Sequence, residues 1–111
     1  MKGTNLGEFE ELVLLTVAAL TSDAYSVAIC DHLTEHTGRV IKLGMVHAVL
    51  NRLESKGYLE STLGEPTNER GGRRKRFYEL STAGKTALVK AKALRDQLWN
   101  IIPDFVFKGL I

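Results

Sequence analysis

Apolar residues recur at helical spacing three times before the period of the chain changes. Between Glu8 and Leu20, the residues Phe9, Leu12, Val13, Thr16 and Leu20 share one stripe, and Leu14, Leu15, Val17 and Ala18 widen it. A helix apolar on most of its sides is expected to be buried. Glu8, Glu10 and Glu11 open its first turn, where carboxylates complement the positive end of the helix dipole. Thr21-Ser22-Asp23 breaks the pattern. A second helix is predicted over Ser26–Thr37 from the spacing of Tyr25, Ile29 and Leu33, with Gly38 as its left-handed end. After an extended link at residues 39–42, a third helix is predicted over residues 44–56. Its residues Val46, Val49, Leu50 and Leu53 fall within one narrow arc, and Gly57 ends it. Three short helices with tight links predict a trihelical core.

The period then drops to two. Residues 58–63 alternate, turn chemistry follows at residues 64–72, and Arg76–Leu80 alternates again, which predicts a β-hairpin with a long tip. Ser81 is placed to cap a last helix running from Thr82 to about Ile101, before Pro103 discourages continuation. The expected fold class is therefore mainly α with a small β-hairpin: a winged helix-turn-helix plus a C-terminal dimerisation helix. Residues 1–80 are expected to form the DNA-binding domain, and residues 81–111 the dimerisation helix and tail. Such folds also serve as protein-binding modules, so element order alone does not fix function.

Charge sharpens this picture. The net charge of +2 hides an asymmetry. Residues 1–38 carry Lys2 against Glu8, Glu10, Glu11, Asp23, Asp31 and Glu35, whereas residues 39–95 carry thirteen Lys or Arg against five acids. The middle of the chain is where a polyanion would bind. Composition fits one ordinary globular unit, with 44% hydrophobic and 25% charged residues in 111. The single cysteine, Cys30, allows no internal disulfide, and no apolar run is long enough for a bilayer, so a cytoplasmic protein without membrane partners is expected.

Two segments carry the candidate chemistry. On the third helix the core arc leaves Gly44, Ala48, Asn51 and Ser55 outward, flanked by Met45, His47 and Arg52. Small residues admit a close approach to a DNA groove, and Asn and Arg can read base edges or hold phosphates. A solvated helix face explains the same residues equally well. The hairpin tip separates the two. Arg70, Arg73, Arg74, Lys75 and Arg76 crowd around Gly71 and Gly72, and five cations so close repel one another unless an anion offsets them. Charge that merely protects a strand edge needs only one or two lysines. Double-stranded DNA is the expected partner, with Lys42 and His47 on the backbone, Asn51 and Arg52 on bases or phosphates, and residues 73–76 along the adjacent groove. The alternative is a protein-interaction module whose basic wing docks an acidic partner.

In the last helix, Ala87, Ala91, Leu94, Leu98, Ile101 and Phe105 follow a four-and-three spacing over about two heptads. With Trp99 and Ile102 they form an expected homodimer interface, because residues 98–107 hold more large apolar side chains than a domain this small covers. Packing back onto the first helix is the competing use. Trp99 fits an interface anchor, a wall for a small aromatic effector, or plain core, in that order. His32 and His36 lie one turn apart near Cys30, yet an exposed pair on an acidic helix is far more often solvated, and no metal is expected. There is no Gly-flanked serine, no phosphate-binding glycine loop and no Cys paired with a motif His, so neither enzymatic activity nor a cofactor is expected.

Leu6-Gly-Glu-Phe-Glu10, Asp23-Ala-Tyr-Ser-Val27, the segment from Leu43 to Gly57, the segment from Leu63 to Tyr78, and Leu80-Ser-Thr-Ala-Gly84 together resemble the PadR family of bacterial regulators along nearly the whole chain. The resemblance implies a homodimeric winged helix-turn-helix repressor on an inverted-repeat operator, often one relaxed by a small aromatic ligand. One position departs from it. Where the family usually has a backbone-binding tyrosine in the third helix, this chain has His47, whose contact would be pH-sensitive.

Overall fold

The three N-terminal helices form where the apolar periodicity marks them. The computed structural model describes residues 6–65 and 74–110. It contains α1 (Glu8–Leu20), α2 (Ser26–Thr37), α3 (Leu43–Ser55), β1 (Leu59–Leu63), β2 (Arg76–Leu80) and α4 (Thr82–Asn100), with short 3-10 turns at Thr21–Asp23 and Asp104–Phe107. Gly38 ends α2 at φ 69°, the left-handed conformation that costs glycine least. Val13, Leu14 and Val17 of α1, Ile29 and Leu33 of α2, and the full arc Val46, Val49, Leu50 and Leu53 of α3 meet in one core, to which the hairpin adds Leu59 and Tyr78. Burying each of the larger aliphatic side chains contributes about 1.5–3 kcal/mol.

One expectation fails on α1. It is not covered all round: Leu15 is 48% exposed, and Ala18 and Ala19 are exposed as well. The trihelical core covers only one side of α1, and α4 reaches it along a limited stretch. Conversely Glu10, expected only to complement the helix dipole, is buried.

β1 and β2 pair antiparallel with Leu59 opposite Leu80 and Leu63 opposite Arg76. The pattern-breaking segment after α1 supplies a further partner. The Tyr78 amide donates to the Ala24 carbonyl at 2.8 Å, Tyr25 bridges Phe77, and their rings meet edge-on at 5.7 Å. The wing is thus pinned to the start of α2 as well as to α3. Four helices with a two-stranded hairpin in this order make a winged helix-turn-helix, the fold class the periodicity predicts.

Ser81 caps α4 as expected, and it does more. Its hydroxyl accepts from the Gly84 amide at 3.0 Å and donates to the Gly57 carbonyl, while its own amide donates to the Tyr58 carbonyl. The end of α3, both ends of the hairpin and the start of α4 therefore meet at one point. Beyond it Leu88 packs on the core and Arg95 still reaches Glu11 of α1, after which the end of α4 is exposed. The radius of gyration is 16.7 Å, against about 13 Å for a compact chain this long.

Gly84 is buried with its Cα against the Tyr58 carbonyl, and a Cβ there would overlap that oxygen. In an open helix Gly→Ala stabilises by about 1 kcal/mol, but here overpacking of backbone governs. Gly84→Ala is expected to destabilise by about 1–3 kcal/mol, read as a lower thermal midpoint. A midpoint at or above the native one would mean that helix and hairpin base do not touch as described.

Candidate nucleic-acid interface

Because α3 spends one arc on the core, its opposite arc is bare. Gly44, Ala48, Asn51 and Ser55 are all exposed, as are Lys42 at the helix start and Met45. At about 100° per residue the two flanks differ. His47 and Glu54 lie toward the wing, whereas Met45, Arg52 and Lys56 lie toward α1.

The wing-side flank forms one wall of a groove of about 730 Å³. His47, Asn51 and Glu54 line it from α3, Tyr25, Ser26 and Val27 from the start of α2, and Arg74, Lys75, Arg76 and Tyr78 from the wing. Sequence-predicted residues from two distant segments are thereby brought together. The Lys75 ammonium sits over the Tyr25 ring at 4.2 Å, a cation–π contact that holds it at the groove edge. Arg76 donates to the Ser61 hydroxyl at 3.0 Å, and Ser61 donates to the Glu54 carboxylate at 2.6 Å, tying the wing to α3. Burial, and then the Glu54 charge, pushes the Tyr78 phenol up from its ordinary range. Arg70 and Arg73, also expected at this surface, lie outside the described residues.

Sequence reasoning missed Tyr25, Ser26, Val27 and Glu54 as groove walls. The signal for Glu54 was present, since it lies seven residues after His47 and three after Asn51 and so shares their flank. Nothing in the local pattern placed the start of α2 beside the wing.

Arg52 is directed elsewhere. Its Nε donates to Glu10 Oε2 at 2.9 Å, and Lys56 Nζ donates to the same oxygen at 2.8 Å. Glu10 Oε1 accepts the Gly7 amide at 2.9 Å, reaching back across the first turn of α1. Burial alone would push this carboxyl up, but the hydrogen bonds from Lys56, Gly7 and Arg52 outweigh it and bring it down to about 2. Its neighbours pair outward. Glu8 meets Arg39 at 2.7 Å, and Arg39 holds the Glu8 carboxyl below its ordinary value, while Glu11 meets Arg95 of α4 at 2.6 Å.

In α4, Ala87 and Ala91 are half-buried, whereas Leu94, Leu98 and Trp99 are exposed, and beyond the helix Ile101 is 71% and Phe105 74% exposed. Ile102 is half-buried. Trp99 leans on Phe107 with ring centroids 5.5 Å apart, beside a hollow of about 540 Å³ that Ile102, Pro103 and Phe105 also line. His32 and His36 stack at 4.1 Å. Among the described residues, no three metal-ligating side chains gather and no helix is long and apolar enough to cross a membrane.

A family model described as the Transcriptional regulator PadR-like family matches residues 14–90. Among solved structures, a PadR family transcription regulator from hypervirulent Clostridium difficile R20291 is 25% identical, covering 90% of this chain and 99% of that chain at a TM-score of 0.69. A PadR family transcriptional regulator from Eggerthella lenta DSM 2243 is similar in fold, at 24% identity, 92% and 88% coverage and a TM-score of 0.67. No curated protein matches the chain.

Glu10 gives the acid limb of stability a definite sign. Its carboxyl titrates near 2 in the folded chain and near 4.5 when free, so its contribution is complete above about 4.5 and is lost as pH falls toward 2. That contribution is on the order of 3 kcal/mol. Urea unfolding between pH 6 and 2 is expected to show this loss in the native chain and its absence in Glu10→Gln. Parallel profiles for the two proteins would assign the acid limb to other carboxylates.

Proposed function

The chain belongs to the PadR-like family of transcriptional regulators, and on that premise we propose that it is a dimeric repressor whose α3 and wing grip one operator half-site together. Membership makes it a DNA-binding transcription regulator and not an enzyme. The observation that carries the finer reading is the shared groove, where cations of the wing face the polar flank of α3. In this reading Gly44, Met45, Ala48 and Asn51 lie at base edges in the major groove. Lys42 and His47 hold the backbone. Arg74, Lys75 and Arg76 follow the neighbouring phosphates, continued by Arg70 and Arg73. Arg52 is left outside this set, because its Nε pairs with Glu10.

Two bare apolar surfaces favour self-association: the Leu15 flank of α1 and the end of α4 with Leu94, Leu98, Ile101 and Phe105. Ala87 and Ala91, half-buried, would take a smaller part, and Trp99 and Ile102 would lie at the margin. The division of labour falls between residues 80 and 81, with DNA binding before it and most of the pairing after it. A planar aromatic effector would sit in the hollow beside Trp99 and loosen the grip on DNA. The cytoplasm is the place of action that goes with this role.

Two-fold pairing implies an inverted repeat with half-sites about one helical turn apart, roughly 10 bp, or a multiple of it. Selection from random duplexes followed by footprinting is expected to return such a repeat, and a lone asymmetric half-site would contradict the dimer. Leu98→Asp is expected to yield folded monomers by light scattering with much weaker operator binding; an intact dimer would remove α4 from the interface. Planar aromatics are expected to quench the fluorescence of Trp99, the only tryptophan, and a flat titration across several ligand classes would count against the effector.

A further inference from the structure

The first turn of α1 is a junction of charges. Glu8, Glu10 and Glu11 reach three different parts of the fold: Arg39 in the link before α3, Arg52 on α3 with Lys56 at its end, and Arg95 on α4. Only Glu10 is buried, at 6% exposure. One of its oxygens is filled by the Gly7 amide and the other by two cations, Arg52 of α3 and Lys56 at its end. Arg52 follows Ala48 by one turn, about 40° around the helix axis, and its side chain is 52% exposed. Released from Glu10, it is long enough to swing toward whatever the bare face of α3 meets.

We infer that Glu10 is a positioning residue for DNA recognition: it seats α3 by holding Arg52 and Lys56, and it keeps both cations off the phosphates. The inference rests on the reading that α3 lies in the DNA groove. Sequence-independent affinity comes mainly from cations neutralising phosphates, whereas sequence preference needs a helix held in one pose. Glu10 trades the first for the second. Removing its charge therefore affects the two kinds of binding in opposite directions, which a purely structural role would not do. It also makes Arg52 a strut, although its residue type and exposure suggest a base reader.

The test compares the native full-length chain, Glu10→Gln and Arg52→Gln on two probes: a duplex selected by the native chain from random sequence, and unselected random duplex. For Glu10→Gln, affinity for random duplex is expected to hold or rise, with a salt dependence steeper by up to about two, close to one per freed cation. Its preference for the selected duplex is expected to fall roughly tenfold, about the weight of one mismatched base pair, because α3 loses the buried carboxylate that seats it. Arg52→Gln is expected to select the same sequence as the native chain with a smaller loss of preference. Equal losses on both probes in Glu10→Gln, or an unchanged preference, would overturn the inference.

A base change at one position of the site selected by Arg52→Gln would overturn it too, by making Arg52 a reader. If Glu10→Gln does not fold by circular dichroism, that selection decides alone, since Arg52 is half in solvent and its loss leaves Lys56 on Glu10. A native chain that binds no duplex would overturn the groove reading itself and this inference with it, a failure visible before any variant is made.

Discussion

Val46, Val49, Leu50 and Leu53 crowd onto one arc of α3 and are all buried against α1 and α2. That single packing constraint fixes which way α3 faces, because a helix with four core residues on one side has no rotational freedom left. Truncating any of the leucines would cost about 2–5 kcal/mol, a large share of what a chain this size has to lose. The outward face, the groove beside the wing and the pairing of Arg52 and Lys56 with Glu10 all follow from that orientation. Rotating α3 by one residue would bury Asn51 or His47 and turn the groove wall into core.

Polar contacts refine what the packing begins. On the wing side, Glu54, Ser61 and Arg76 form a chain of hydrogen bonds from α3 to both strands. On the α1 side, Glu10 gathers two cations. α3 is therefore braced on both flanks by carboxylates, one on the helix itself and one reaching in from its neighbour. The exposed pairs, such as Lys92 with Asp96, carry little energy by comparison.

Periodicity made the helices, the hairpin and the Ser81 cap legible in the sequence, because each depends on residues close together in the chain. Val46 to Leu53 and the glycine ends at Gly38 and Gly57 needed no tertiary knowledge. What stayed hidden depends on how distant segments meet. The backbone of Ala24 and Tyr25 completes the wing, yet its local pattern reads only as a helix breaker. Arg52 has the residue type of a DNA reader, and only the approach of α1 shows that its Nε meets Glu10. Glu10 looks like an ordinary first-turn acid until Arg52 and Lys56 are found on it. Leu15 illustrates the opposite error: an apolar residue on a strongly apolar helix is not thereby covered when its neighbours run out.

The Ser81 hydroxyl, spanning Gly57 and Gly84, gives the hairpin a closed base. The chain departs at Tyr58 and returns at Ser81 to the place it left, so the wing is an excursion from the trihelical body. Lengthening such an excursion is thermodynamically mild, about 0.6 kcal/mol for each doubling of a flexible loop. Changes of length between β1 and β2 are thus expected to leave this closed base, and with it the seating of α3 and α4, undisturbed.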